Sequence, residues 1–221
     1  MLFVIQHLLA GAFCSMLLSA GGCMFSSNSV QGSGVAKAET RDVPAFTAID
    51  STGSAQITVV IGDKQSLTIQ ADDNILPLID TKVNGEKLVI SSSASYSART
   101  PVKITITVAA LNEVRIGGSG NIDAAGIVAK RFEAHISGSG DINVAGQATT
   151  LKASISGSGS IDATKLPVDD ADVRVTGSGN VQINATKSLN VQVTGSGDVR
   201  YAGNPSEVKK QVTGSGRVTK M

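Results

Sequence analysis

Residues 114–123 read VRIGGSGNID, and five later stretches repeat the design: AHISGSGDIN at 134–143, ASISGSGSID at 153–162, VRVTGSGNVQ at 173–182, VQVTGSGDVR at 191–200 and KQVTGSGRVT at 210–219. The Gly-Ser-Gly triplets recur at spacings of 20, 19, 20, 18 and 19 residues. A unit of that length is too short to bury a core alone, so the repeat points to a solenoid. Two residues before each triplet stand Ile116, Ile136, Ile155, Val175, Val193 and Val212. Two residues after it stand Ile122, Ile142, Ile161, Val181, Val199 and Val218. Further upstream lie Val114, Ala134, Ala153, Val173, Val191 and Lys210. A period of two on both sides predicts strand, tight turn, strand. Stacked about 4.8 Å apart as parallel rungs, these units close a shared interior. Each fully buried Ile or Val contributes roughly 1.5–3 kcal/mol. The expected fold is all-β: a right-handed parallel β-helix, or β-solenoid, with rungs of about 19 residues and a less regular N-terminal β portion.

The triplets supply the turns. Gly118 and Gly120, Gly138 and Gly140, Gly157 and Gly159, Gly177 and Gly179, Gly195 and Gly197, and Gly214 and Gly216 are expected as turn glycines. Glycine permits positive φ and lets one rung's backbone lie close to the next. Outward residues then form columns. Ser137, Ser156, Thr176, Thr194 and Thr213 make a hydroxyl column. Asn121, Asp141, Ser160, Asn180 and Asp198 make a candidate surface ladder that ends at Arg217. Asp123, Asn143, Asp162, Gln182, Arg200 and Thr219 make a third.

Working back from the repeats at 111–221, residues 40–110 hold β-branched, mostly alternating runs at 46–50, 55–61, 66–70, 87–91 and 102–108. Turn signals separate them at 61–64 and 83–86. A short helical turn is expected within 72–78, with Asp or Asn as its N-cap. The segment either continues the helix as irregular rungs or forms a separate cap. Continuation is favoured, since a solenoid core needs an end cover and these strands come in order.

Residues 1–23, MLFVIQHLLAGAFCSMLLSAGGC, carry no full charge and are apolar almost throughout. The small residues before Cys23 resemble the bacterial lipoprotein signal, which implies a signal peptide over 1–22 and lipid attachment at Cys23. A cleaved secretory leader and an uncleaved anchor are the alternatives. Residues 23–39 then comprise the lipidated cysteine and a Ser/Gly-rich tether. Met24, standing where inner-membrane lipoproteins commonly carry Asp, implies the outer membrane, with the domain periplasmic or surface-exposed.

Composition excludes several chemistries. The 221 residues carry a formal net charge of +1, too balanced for a nucleic-acid partner. Aromatics are 3% and tryptophan is absent, so Val, Ile, Leu and Ala must build the core. The only cysteines, Cys14 and Cys23, lie in the leader, and His135 is the only histidine after it. Disulfides, thiol nucleophiles and a zinc site therefore have no ligands in the domain, and no cofactor or metal is expected.

The Asp/Asn columns raise a calcium reading. However, a Gly-rich calcium β-roll places Asp where inward-facing Ile122 stands, so structural turns are preferred. Asp123, Asp141 and Asp162 suggest the paired carboxylates of glycoside hydrolysis, yet Asp141 falls in a different column and amides interrupt both. His135 reads as a surface histidine in register with Arg115, Ser154, Arg174 and Gln192. The triplets lack the Lys-Ser/Thr of a phosphate loop. From Asp198 onward, Arg200, Lys209, Lys210, Arg217 and Lys220 outnumber Asp198 and Glu207, an excess of five minus two, or +3. Such charge discourages edge pairing. The alternative is a self-association or acidic-partner interface at that basic edge.

The chain resembles the DUF2807 family, the auto-transporter adhesin "head GIN" domain, from about Val43 to Val218. The resemblance rests on Phe46-x-x-Ile49, on Gly53-Ser54-Ala55-Gln56-Ile57-Thr58-Val59, on Gly85-Glu86-Lys87-Leu88-Val89-Ile90 and on the GSG-[NDS]-[IV] repeats. It implies an extracytoplasmic β-helical domain, often in lipoproteins of Bacteroidetes, with no catalytic or binding residues to carry over. The expected role is a non-enzymatic binding, adhesion or scaffolding module on the cell envelope. Its partners would be the membrane, through the lipid anchor, and a protein or glycan. A polysaccharide-processing enzyme and a structural envelope protein without a ligand are the alternatives.

Overall fold

The computed structural model describes residues 29–221. The signal peptide expected at 1–22, Cys23 and the first part of the tether lie outside the described residues. The strands are β1 (Val30–Gln31), β2 (Ala36–Thr40), β3 (Ala48–Ser51), β4 (Gln56–Ile61), β5 (Ser66–Asp72), β6 (Ile79–Asn84), β7 (Lys87–Ser92), β8 (Tyr96–Ser97), β9 (Lys103–Val108) and β10 (Glu113–Ile116). Then follow β11 (Asn121–Gly138), β12 (Asp141–Gly157), β13 (Ser160–Gly177), β14 (Asn180–Gly195), β15 (Asp198–Ala202), β16 (Glu207–Gly214) and β17 (Arg217–Lys220). All but β1 and β8 belong to one 15-stranded sheet.

From β10 onward every pairing is parallel, and the sequence period sets the register. Ile122, Ile142, Ile161, Val181, Val199 and Val218 align rung upon rung. So do Ile116, Ile136, Ile155, Val175, Val193 and Val212. This is the β-solenoid that the repeat predicts. Each long strand bends between its two apolar runs; β11, for example, shifts register against β12 between Ala124 and Ile127. Gly126 supplies the bend there with φ of 81°.

The triplets bind each rung to the one before. Ser139 N and Gly140 N both donate to Gly118 O, at 3.0 and 3.1 Å, and Ser196 N and Gly197 N do the same to Gly177 O, at 2.9 and 3.1 Å. Both glycines of a triplet are needed for space, and a Cβ on Gly177 would run into the carbonyl of Gly157. Gly177 also has φ of 115°, a conformation that side chains disfavour. A Cβ on Gly140 would run into the carbonyl of Gly120 and the Ile116 side chain.

The core corrects one expectation. Five copies of each flanking apolar position are buried, but Val212 is 40% exposed and Val218 only half-buried. Among the described residues nothing packs on the last rung, so the sixth copy cannot close the interior. Lys210 falls in the inward column of Val114 and Val191. It lays its ammonium 5.1 Å from the Tyr201 ring centroid and donates to Val218 O at 3.3 Å. A cation with an aliphatic stem thus covers the end of the core.

At the other end the solenoid continues below residue 111, with no break in the hydrophobic core from Phe46 to Tyr201. The rungs are not stacked in chain order, however. β3 and β4 form a coil wedged between the coil of β7 and β9 and the coil of β10 and β11. Gly53-Ser54-Ala55 is its triplet: Ser119 N and Gly120 N donate to Gly53 O, both at 2.9 Å. Antiparallel strands then end the stack, β6 on β7, β5 on β9 and β2 on β5. Short turns allow this, since an antiparallel neighbour needs no coil to reach it. Arg41 ties the two faces of this cap together, donating to Leu76 O at 3.0 Å, to Ile79 O and to Thr81 Oγ1.

Two local expectations are also corrected. Residues 30–31 and 36–39, read as tether, lie in strands paired to β8 and β5. The turn at Leu76–Leu78 is a 3-10 helix with Ile75 as N-cap and no side-chain cap. The polar residues before it hold the N-terminal segment instead. Asn74 accepts from Ser33 N and donates to Gln31 O, at 2.9 and 2.7 Å. Asp72, fully buried, accepts from Gly34 N, Arg99 N and Thr100 N. Sequence composition made residues 29–39 look like linker because its contacts come from side chains 40 residues away.

Two predictions follow from these contacts. Ile142→Ala removes a fully buried side chain and should cost about 2–5 kcal/mol in urea unfolding, whereas Val212→Ala should cost under about 1 kcal/mol. Burial pushes the Asp72 pKa up, but bonds from the Thr100 side chain and the Arg99, Thr100 and Gly34 amides outweigh it and hold it below its ordinary 3.8. A lowered folded pKa contributes stability in full above 3.8, and this is lost as pH falls through the folded value. Asp72→Ala should therefore lower hydrogen-exchange protection at Gly34, Arg99 and Thr100 at pH 7, and in the wild type the same loss of protection should appear only as pH falls through the folded value, below 3.8.

Candidate functional site

Central strands of a parallel stack have no free main-chain edge, so outward side chains alone define the contact surface. Two faces flank the triplets.

On the face after the triplets, Asn121, Asp141, Ser160, Asn180, Asp198 and Arg217 form one column, as the sequence predicts. Their oxygens point along the stack. Asn121 Oδ1 accepts from Asp141 N at 3.3 Å, and Asp141 Oδ1 from Ser160 N at 3.1 Å. Asn180 Oδ1 accepts from Asp198 N at 3.3 Å, and Asp198 Oδ1 from Arg217 N at 3.0 Å. Each amide or carboxylate thus caps the first N–H of the next rung. Asn and Asp interchange because both present that oxygen. The geometry supports the structural-turn reading of this ladder over the calcium reading. Among the described residues no group of three or more His, Cys, Asp or Glu side chains converges on a metal position.

The neighbouring column brings Thr58, Asp123, Asn143 and Asp162 into register. With Val60, Ala125 and Lys165 they line a groove of about 370 Å³. Asn143 Nδ2 donates to Asp123 Oδ1 at 2.8 Å, and Thr164 donates from N and Oγ1 to Asp162 Oδ1 at 2.9 and 2.6 Å. Asp123 and Asp162 lie two rungs apart, about 9.6 Å along the stack. Asp141 stands in the adjacent column, so the three carboxylates do not meet.

The face before the triplets carries Asp50, Arg115, His135, Ser154, Arg174 and Gln192 in one column. His135 is less exposed than a surface histidine, with a side chain only 15% accessible. Its Nδ1 lies 2.6 Å from Ser154 Oγ and its Nε2 3.0 Å from Glu133 Oε2. Sequence reasoning missed Glu133; its place two residues before His135, on the same side of the strand, was the signal. Burial raises the Glu133 pKa, but hydrogen bonds from His135 and Arg131 and their charges hold it below the ordinary range. Glu113 behaves alike: bonds and charge from Arg115 and Lys87 outweigh its burial. Ser, His and Glu are the residue types of a hydrolase triad. Here the surrounding backbone N–H groups are spent in the ladder, so no backbone oxyanion hole is formed at Ser154. Glu133 and Ser154 hold the imidazole from both ring nitrogens.

Solved structures share this architecture. A "putative adhesin" from Bacteroides fragilis is 26% identical and superposes with a TM-score of 0.72 over 87% of this chain and 100% of its own. A "putative lipid binding protein" from Parabacteroides distasonis, 23% identical with a TM-score of 0.55, covers 87% of this chain and 99% of its own. A "putative adhesin" from Parabacteroides merdae, 21% identical with a TM-score of 0.57, covers 87% and 98%. The last two show the fold alone. No curated protein matches the chain.

The capping role of the ladder is testable. Asp141→Ala should destabilise the domain by about 0.5–1.5 kcal/mol, Asp141→Asn should retain most of that stability, and millimolar calcium should leave the melting temperature of both unchanged. A calcium-dependent rise abolished by Asp141→Asn would reverse the assignment.

The features that organise the fold, from Phe46 through the wedged Gly53-Ser54-Ala55 coil to the first five triplet turns, lie within residues 45–205, which match the family described as "Putative auto-transporter adhesin, head GIN domain". The chain belongs to that family.

Proposed function

We propose that the protein is a non-catalytic adhesion or binding module of the cell envelope, held at the outer membrane by a lipid on Cys23. The observation that carries this is the outer surface itself. Ladder bonds from rung to rung fix polar side chains in straight columns on a rigid stack, which is a recognition surface prepared in advance. Membership of an adhesin-named family supports the same reading, as does the adhesin name of the Bacteroides fragilis relative. The lipoprotein-like leader supports the location.

A second reading has one specific observation behind it. The groove between Asp123 and Asp162 offers two carboxylates at a separation near that of inverting glycosidases, about 6.5–9.5 Å. Their bonds to Asn143 and Thr164 favour a structural use.

One experiment separates the two. The full chain in detergent is applied to an array of glycans and extracellular-matrix proteins, and the same glycans are assayed for new reducing ends. Saturable binding without chain cleavage is expected. Reducing ends that disappear with Asp123→Asn or Asp162→Asn would establish the enzyme instead.

A further inference from the structure

We propose that the groove along Arg115, His135, Ser154 and Arg174 binds an acidic saccharide, its carboxylate or sulfate groups received by the two guanidiniums. This rests on the binding-module reading and gives it a ligand class and a site.

Four successive rungs place these residues in one line, by the pairings Arg115 to His135, His135 to Ser154 and Ser154 to Arg174. At rung spacing the two arginines stand about 14 Å apart. Between them runs a groove of about 280 Å³. Ser137, Ser156 and Thr176 form its second wall, and no carboxylate lines it. Asp50 stands one rung beyond Arg115, at the end of the line and outside the groove lining, and the other acidic groups nearby sit to one side. Glu113 holds Arg115 through one NH2 at 3.0 Å and Glu133 holds the imidazole, so both act to orient the groove. Arg174 donates from Nε to Gln192 at 3.1 Å, and among the described residues no carboxylate pairs with it. Its terminal nitrogens keep the planar fork that suits carboxylate and sulfate.

The same geometry selects a saccharide over a peptide. An extended peptide binds sheets by adding to an edge, and these strands are paired on both sides. What the groove offers is hydroxyls in a row, with cations along one wall. That matches a chain of polyhydroxylated rings bearing regular anions.

The test is calorimetric titration of the full chain in detergent with three probes: a heparin-derived hexasaccharide, a hexagalacturonate and neutral maltohexaose. Binding of one or both anionic probes is expected, with maltohexaose inert. Arg115→Gln/Arg174→Gln should weaken it about tenfold or more. Arg200→Gln/Arg217→Gln, which removes equal charge from the end of the stack, should leave it within about twofold. The two acidic probes tell sulfate from carboxylate. Equal losses in both double variants would reduce the effect to bulk charge and overturn the site. Anionic binding that survives Arg115→Gln/Arg174→Gln, or binding of maltohexaose alone, would also overturn it while leaving a binding module. No binding of any probe overturns the proposal, and the broader reading then fails only if the array is silent too.

Discussion

Everything in this molecule depends on one contact repeated at each rung: the carbonyl of a triplet's first glycine receives the serine N–H of the next triplet, joined at Gly53, Gly118, Gly177 and Gly195 by the glycine N–H that follows it. That contact requires two backbones to approach where any side chain would stand between them. Once made, it sets the register, and the register decides which residues face inward. A shift by one residue would move every Ile and Val to the solvent. The turn therefore specifies the core as much as the core stabilises the turn.

The interior is aliphatic and nearly uniform, which suits a stack whose rungs differ by one or two residues in length. Insertions are absorbed at the corners, where register slips against the neighbouring strand, as between Asn143 and Ala145 or Ala163 and Val168. The triplet columns on either side stay in step. Function can then be written on the outward positions without disturbing the fold, because a change at Arg115 or Asp123 touches neither the core nor the turn.

Much of this was legible in the sequence. The columns from Val114 to Val193 and the ladder from Asn121 to Asp198 follow from a period of two flanking a fixed triplet, a local signal that needs no tertiary knowledge. What was hidden was non-local. The place of β3 and β4 between coils formed by residues 87–138 cannot be read from spacing, because Gly53-Ser54-Ala55 is an isolated and imperfect copy. The strand residues 30–31 and 36–39 looked like linker because Asp72 and Asn74, which hold that segment, read as helix caps. Likewise the Glu133–His135–Ser154 chain spans two rungs, and a lone histidine in a sequence says nothing of its neighbours.

The wedged coil has a consequence for how the protein is made. During synthesis residues 48–61 emerge before either surface that will flank them exists: one face waits for 87–108 and the other for 113–125. Rungs cannot be laid down one by one from the N-terminus, as in a simple repeat array. The first part of the chain must be threaded into its slot after roughly half of the whole is available, a long-range closure that favours slow folding. From β10 onward each new rung meets a finished template, so assembly has a late start and then runs in chain order.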